Sequence, residues 1–263
     1  MKPAARQQEI LKLLEESGEV MVEDLAERFT ASRETIRRDL SELDAGGHIR
    51  KFHGGARAVK IDHALPDEGA FDARMKDRLT EKMAIAKKAA SLFSEGSTLF
   101  IDTGSTTIAF ARALAKRRGM TVITNSPQIS QILAQADMRH RVYLAGGEVA
   151  AEGREILGAI ATGQIAGFSA EHAVLTVGAV TAAAIMDYDQ RETEMARAMI
   201  AQAQGVTVLA DHSKIGRPAV FEVAQLAKVA RIVTDRLPEP AMVAALSAAG
   251  VEVVVAEPGG TGG

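Results

Sequence analysis

Seven short apolar runs, spaced by alanine-rich stretches of helical rhythm, constrain this chain more than any other feature. They are STLFID (97–102), TVITN (121–125), RVYLAG (141–146), HAVLTVG (172–178), VTVLAD (206–211), RIVTD (231–235) and VEVVVA (251–256). Each is short and rich in β-branched residues, so each reads as a strand rather than a buried helix. Strands that alternate with helices build a parallel sheet whose two faces are both covered. The expected fold class for residues 79–256 is therefore α/β. Ligands on such sheets bind outside the carboxyl ends of the strands. Six of the runs reach polar or small residues there: Asp102, Asn125, Gly146, Gly178, Asp211 and Asp235.

One of those strand ends carries the sharpest site signal. Asp102-Thr103-Gly104-Ser105-Thr106-Thr107 stands between the first run and the helical stretch IAFARALA. A glycine–hydroxyl turn that opens a helix offers unpaired N–H groups, hydroxyls and the positive end of a helix dipole, which together cradle a phosphate. It is not a Walker loop, because no GK[ST] follows. The motif fits equally well a Ser105 or Thr106 that merely caps the helix. Asn125 and Gly146-Gly147 add loops at the same sheet edge and favour a small phosphorylated ligand. The segment ADHSKIGR (210–217) is a second cluster. There Lys214 can neutralise a phosphate or carboxylate as a point charge, and Asp211 can accept hydrogen bonds from a polyol.

No catalytic, metal or cofactor residues are expected. Cysteine is absent, which excludes disulfides, thiolate metal sites and a cysteine nucleophile, and agrees with a cytoplasmic protein. The six histidines lack metal-ligand spacing, and no nucleophile-elbow G-x-S-x-G is present. No apolar run approaches the ~20 residues of a membrane helix, and the polar start MKPAARQQEILKLLEE is not a signal peptide.

The first sixty residues have a different rhythm. Ile10, Leu13 and Leu14 recur at helical spacing, and Ser17-Gly18 ends that segment. Val22, Leu25, Ala26 and Phe29 share a face of VEDLAERF, and a tight break follows at Thr30-Ala31. Ser32 is an N-cap for SRETIRRDLSELDAGG, in which Ile36, Leu40 and Leu43 face a core and Gly46-Gly47 stops the helix. Arg33, Thr35, Arg37 and Arg38 fall off that stripe. Two helices joined by a short turn, the basic one second, are the helix-turn-helix arrangement. In HIRKFHGGARAV, Ile49 and Phe52 alternate with basic positions before two glycines, the pattern of a β-hairpin wing with Arg50, Lys51 and His53 facing phosphates.

Charge follows the same division. Residues 28–60 hold eight basic side chains against four acidic ones, inside a chain whose net charge is −3. A local basic stretch is what the DNA backbone attracts, although a solvated helix face looks the same by charge alone. With the cap, the helical spacing and the wing, the arginines favour double-stranded DNA.

VEDLAERF, S-R-E-T-I-R-R-D-L and HIRKFHGGA together resemble the N-terminus of DeoR-family transcriptional regulators. The likeness extends through F-I-D-T-G-S-T-T, V-I-T-N-S, L-A-G-G, A-D-H-S-K and V-T-D, from about residue 6 to 256. It implies a winged helix-turn-helix over residues 1–57, a linker over 58–78, a Rossmann-like effector domain similar to sugar-phosphate isomerases over 79–256, and a disordered tail over 257–263. It also implies ligand-binding roles for Asp102, Gly104, Ser105, Thr106, Thr107, Asn125, Gly147, Asp211 and Lys214. The stretch 185–200 looks most like the glycerol-3-phosphate repressor subgroup. Departures are Ala31 for a usual valine, a glycine-poor loop after Gly178, Ala196 where several relatives have lysine, and Ile215 for a usual phenylalanine.

The expected function is therefore a DNA-binding regulator, a repressor, of sugar or polyol phosphate metabolism. It is released by a phosphorylated sugar or polyol such as glycerol 3-phosphate. It is expected to act as a homo-oligomer, dimer or tetramer, on repeated half-sites, with no membrane partner. The alternative is a sugar-phosphate isomerase-like enzyme with an accessory DNA-binding module.

Overall fold

The computed structural model describes residues 6–7, 9–10, 12–14, 19–45, 49–52, 54–58, 71–150 and 154–256. The chain divides into two units, residues 1–66 and 67–263. Ser17-Gly18, Gly46-Gly47, His53, most of the 58–78 stretch and the 257–263 tail lie outside the described residues.

In the first unit, helical residues between 6 and 14 precede β1 (Glu19–Met21), α1 (Val22–Arg28), α2 (Arg33–Ala45), β2 (Ile49–Phe52) and β3 (Gly55–Ala58). Ser32 sets the start of α2: its Oγ accepts from the Thr35 amide at 3.1 Å. The break before it turns on Thr30, which takes φ +48°. Ile10, Leu14, Val22, Leu25, Ile36, Leu40, Leu43, Ile49 and Ala56 form one buried cluster. The apolar stripe of α2 thus packs on both neighbouring helical segments and the wing. A buried ion pair also ties α2 to the first helical segment. Arg6 Nε and Nη2 donate to Asp39 at 2.5 and 3.2 Å, and that hydrogen bond raises the arginine pKa further. The wing is a three-stranded sheet in the order β1-β3-β2, antiparallel throughout. The hairpin matches the sequence reading. The third strand, β1, is too short at three residues to leave a periodic signal.

In the second unit, α3 (Phe71–Lys76) and α4 (Leu79–Ala90) lead into β4 (Thr98–Ile101), α5 (Ser105–Leu114), β5 (Thr121–Thr124), α6 (Pro127–Ala134) and β6 (Arg141–Leu144). Next come β7 (Glu148–Ala150), β8 (Glu155–Leu157), α7 (Ala159–Ile165), β9 (Ala170–Leu175), β10 (Ala179–Val180) and β11 (Ala184–Asp187). The unit continues with α8 (Gln190–Ala201), β12 (Ala203–Leu209), β13 (Phe221–Gln225), β14 (Arg231–Thr234), α9 (Pro240–Ala248) and β15 (Glu252–Val255).

The seven apolar runs are the seven strands of one sheet, in the order β15-β14-β12-β9-β4-β5-β6. Every pairing in it is parallel. Alternate residues go to opposite faces, as the pleat requires. Phe100, Ala173 and Leu175 join α7, α8 and α9 on one side, while Leu99, Ile101 and Val174 join α4, α5 and α6 on the other. Phe71 of α3 belongs to the second of these clusters, although it lies within the stretch read as linker.

Chain order runs outward from β4 to β6 on one side and from β9 to β15 on the other. The direction of winding therefore reverses between β4 and β9, which is where a doubly wound sheet opens a crevice for ligand. Two small additions were not read from sequence: the β7–β8 hairpin, and a three-stranded sheet β10-β11-β13. Their strands are short and lack the long β-branched runs of the main sheet.

Candidate functional site

In the first unit, Arg33, Arg37 and Arg38 are exposed on α2 and Thr35 is partly exposed. Their spacing places them opposite the buried stripe of Ile36, Leu40 and Leu43. Arg33 lies 3.6 Å from Glu23 of α1, and Arg37 lies 3.9 Å from Glu34. Both pairs are solvent-exposed and hold their arginines weakly. The Ser32 and Thr35 hydroxyls hydrogen-bond at 2.8 Å. Lys51 is exposed, but its Nζ donates to Ser41 Oγ at 2.7 Å, so the wing lysine leans on α2. Arg50 lies on β2 next to Lys51.

In the second unit, the site grows from the carboxyl ends of β4 and β9. Asp102 follows β4, and its Oδ2 accepts from the Thr176 amide at 2.9 Å, closing the seam between the two strands. Asp102 is only 8% exposed, and its Oδ1 is buried with no partner among the described residues. Burial drives its pKa well above the ordinary carboxylate value. Asp187, Glu155 and Glu192 push the same way, against the Thr176 hydrogen bond. A small cavity opens here, lined by Asp102, Thr103, Asn125, Glu155, Thr176 and Asp187, with Glu192, Met195 and Ala196 of α8.

Asn125 ties this wall together. Its Oδ1 accepts from Thr103 Oγ1 at 3.3 Å, and its Nδ2 donates to Glu155 Oε2 at 3.3 Å and to Ile156 O at 3.2 Å. Burial raises the Glu155 pKa to about 7, even though hydrogen bonds with Glu192 and Asn125 and the charge of Arg74 pull it down. Glu155 and Glu192 thus lie within hydrogen-bond reach of each other.

The turn 103–107 borders this cavity. Gly104 is the N-cap of α5, and no side chain caps the helix. Thr107 Oγ1 instead donates to Gly104 O at 3.1 Å. The reading in which Ser105 or Thr106 serves as the cap is therefore not realised. The amides of the first helical turn stay directed outward, as at any uncapped helix start. Gly104 is glycine for a steric reason: a Cβ there would stand 2.2 Å from Thr176 Oγ1.

The remaining predicted residues lie elsewhere. Gly147 (φ +153°) packs its backbone against Ile156, Leu157 and Ala161. Asp211 spends its Oδ1 on the Ser213 amide (2.9 Å) and hydroxyl (2.5 Å), 3.6 Å from Arg78 Nε. Lys214 sits on the same turn, beside Lys82. His212 braces that turn from the other side: its amide and Nδ1 each lie 2.7 Å from Asp235. Burial raises the Asp235 pKa, but these bonds outweigh it and leave the carboxyl lowered. Asp211 and Lys214 thus build the loop after β12 and do not line the cavity. The sequence reading missed Glu155, Thr176, Asp187 and Glu192 as site residues. Among the described residues no group of three or more His, Asp or Glu is placed to hold a metal, and no helix is long and apolar enough to cross a membrane.

The DeoR-like helix-turn-helix domain matches residues 6–62, and the DeoR C terminal sensor domain matches residues 77–236, more than half the chain. The chain belongs to the DeoR family. It is a helix-turn-helix transcriptional regulator with a C-terminal sensor domain. It is 33% identical to the HTH-type transcriptional repressor CsqR of Escherichia coli over 95% of this chain and 94% of that protein. It is also 33% identical to the glycerol-3-phosphate regulon repressor of Escherichia coli, over 90% and 93%. A looser partial likeness, TM-score 0.39 at 19% identity, links it to ribose 5-phosphate isomerase A from Neisseria gonorrhoeae over 52% of this chain and 53% of that one. A likeness of that size supports no statement about chemistry.

Proposed function

We propose that this DeoR-family protein is a repressor that binds operator DNA through α2 and is released by a phosphorylated sugar or polyol held at the β4–β9 seam. The observation that carries the reading is the pairing of two features in one chain. One is a Ser32-capped helix with Arg33, Arg37 and Arg38 turned outward. The other is a cavity at the switch point of a doubly wound sheet, in a separate unit.

On DNA, Ser32, Arg33, Thr35, Arg37 and Arg38 reach base edges and phosphates at the start of α2, and Arg50, Lys51 and His53 supply backbone contacts from the wing. On the ligand, the uncapped first turn of α5 takes the phosphate at Gly104, Ser105, Thr106 and Thr107. Asp102 and Asn125 meet the hydroxyls. Gly147, Asp211 and Lys214 hold the neighbouring loops. Acting on chromosomal DNA places the protein in the cytoplasm. It works as a homo-oligomer, since repeated half-sites ask for two recognition helices. It binds its effector without turning it over.

Fluorescence anisotropy of labelled DNA from upstream of its own gene cluster, at fixed salt, tests this. Arg37→Ala is expected to lose specific DNA binding and keep effector binding; unchanged DNA affinity would overturn the role given to α2. The double change Ser105→Ala, Thr106→Ala is expected to stay on DNA at effector levels that release the native protein. Normal release would overturn the phosphate site. Glycerol 3-phosphate and other sugar phosphates, incubated with the protein, should be recovered unchanged.

A further inference from the structure

A second basic stretch lies in the sensor unit, outside both sites described above. Residues 112–141 hold six basic side chains, Arg112, Lys116, Arg117, Arg118, Arg139 and Arg141, against one acidic residue, Asp137. That excess stands in a chain whose net charge is −3. The fold gathers the six at one place. Arg112 is in the last turn of α5, Lys116 to Arg118 form the turn into β5, Arg139 stands in the turn before β6, and Arg141 opens β6. The two turns are tied together. Gly119 N donates to Met138 O at 2.8 Å, Arg141 N to Met120 O at 2.8 Å, and Met120 N to His140 Nδ1 at 3.3 Å. Because β5 and β6 run parallel to β4 and β9, both turns open at the amino end of the sheet, opposite the effector cavity. Five of the six are exposed; Arg117 is half-buried and donates from Nη2 to Phe93 O at 2.9 Å. Among the described residues none of the six forms an ion pair. Arg112 and Lys116 complement the carboxyl end of the α5 dipole, but Arg118, Arg139 and Arg141 lie beyond any helix end. Like charges held together repel one another, and a polyanion relieves that repulsion.

We infer that this basic edge at the amino ends of β5 and β6 binds the phosphate backbone of double-stranded DNA, so that the sensor unit holds DNA as well as the helix-turn-helix unit. The inference rests on the reading that the protein binds operator DNA, and it adds a second surface to that reading. Arginine makes up five of the six cations, and its planar fork meets a phosphate through two parallel hydrogen bonds. Phosphates carry no sequence information, so the edge strengthens binding to operator and unrelated DNA alike and leaves the choice of sequence to α2. Each phosphate it neutralises releases counterions, which writes its contribution into the salt dependence of binding. The groups that hold phosphate backbone here are not the groups that hold an effector at the other end of the strands.

Salt titrations of the full chain test the inference, read by anisotropy on the labelled upstream fragment and on an unrelated fragment of equal length. The triple variant Lys116→Ala, Arg118→Ala, Arg141→Ala should flatten the slope of log affinity against log salt by about 2–3, at ~0.9 per phosphate contact. It should bind both fragments about tenfold or more weakly at about 0.1 M salt. The ratio of the two affinities should stay at its native value, whereas Arg37→Ala lowers that ratio. Arg139 is left in place because it holds φ +57°. The charge-keeping pair Arg118→Lys, Arg141→Lys should retain most of the native slope. Should the triple variant misfold, Arg118→Glu alone should flatten the slope by about one or more. Arg217→Ala with Arg236→Ala, exposed residues that follow β12 and β14, should leave the slope as it is. Native slopes in the triple variant, or equal flattening in that control, would overturn the inference and leave the operator reading standing. Failure of the native protein to bind either fragment would overturn both. A triple variant that sediments at a lower mass than the native protein would make the edge a contact between copies of this chain and overturn the inference.

Discussion

Gly104 has φ −178°, extended backbone that any residue can adopt, so its identity answers to space alone. A methyl group there would collide with Thr176 Oγ1 at 2.2 Å. Gly104→Ala is expected to lower stability by about 1–3 kcal/mol, the usual cost of overpacking. Adding Thr176→Ala should recover most of that loss in a double-mutant cycle by urea unfolding. Glu155 makes a different statement. The folded chain holds its proton up to about pH 7, against 4.5 for the ordinary carboxyl. Its favourable contribution is therefore full at acid pH and is lost as pH climbs through that window. Melting temperature should fall from the lower to the upper limit, and Glu155→Gln should flatten the slope, leaving the share due to Asp102. Equal slopes for native and variant protein would contradict this. At this scale the sequence was only partly legible. Asp102 and Asn125 were found because each closes a strand run. Glu155, Thr176 and Glu192 were not, since they arrive from β8, the end of β9 and α8, and convergence in space leaves no spacing to read.

The elements of the main sheet were legible because each central strand is buried on both faces and must be continuously apolar. Their starts were not. β12 opens at Ala203 and includes Gln204 and Gly205, residues that pairing with β9 recruits without any strand preference of their own. The two extra sheets failed for a related reason, since their strands, as short as two residues, lack the continuous apolar runs that mark the main sheet. In the first unit α2 owes its placement to both ends of the sequence pattern: the Ser32 cap fixes where it starts, and Asp39 fixes how it is turned. Asp39→Ala removes the charge-assisted hydrogen bonds to Arg6, so a loss of about 1.5–3 kcal/mol in the stability of this unit is expected, read by its own unfolding transition. DNA binding should fall in proportion to the unfolded fraction, whereas Arg37→Ala removes DNA binding with the fold intact.

For the molecule as a whole, two binding sites on separate units make a regulator only if they are energetically coupled. Reciprocity then requires operator DNA to weaken the effector by the same factor by which the effector weakens DNA. The homo-oligomer proposed above needs a surface, and β6 offers one. It is an edge strand with unpaired backbone groups, and it exposes Tyr143 (41%) and Leu144 (43%). Leu144→Arg is expected to shift sedimentation toward the monomer and to weaken operator binding without changing effector affinity; an unchanged mass would place the interface elsewhere. The seam between β4 and β9 has a consequence for how occupancy can be watched. One amide, that of Thr176, donates across it to Asp102 Oδ2, while the other oxygen of the same carboxyl is buried without a partner among the described residues. Any occupant that changes the charge of Asp102 must change the electron density around that single N–H. Its nitrogen chemical shift and its rate of deuterium uptake are therefore a reporter already built into the backbone, readable without a label on the ligand.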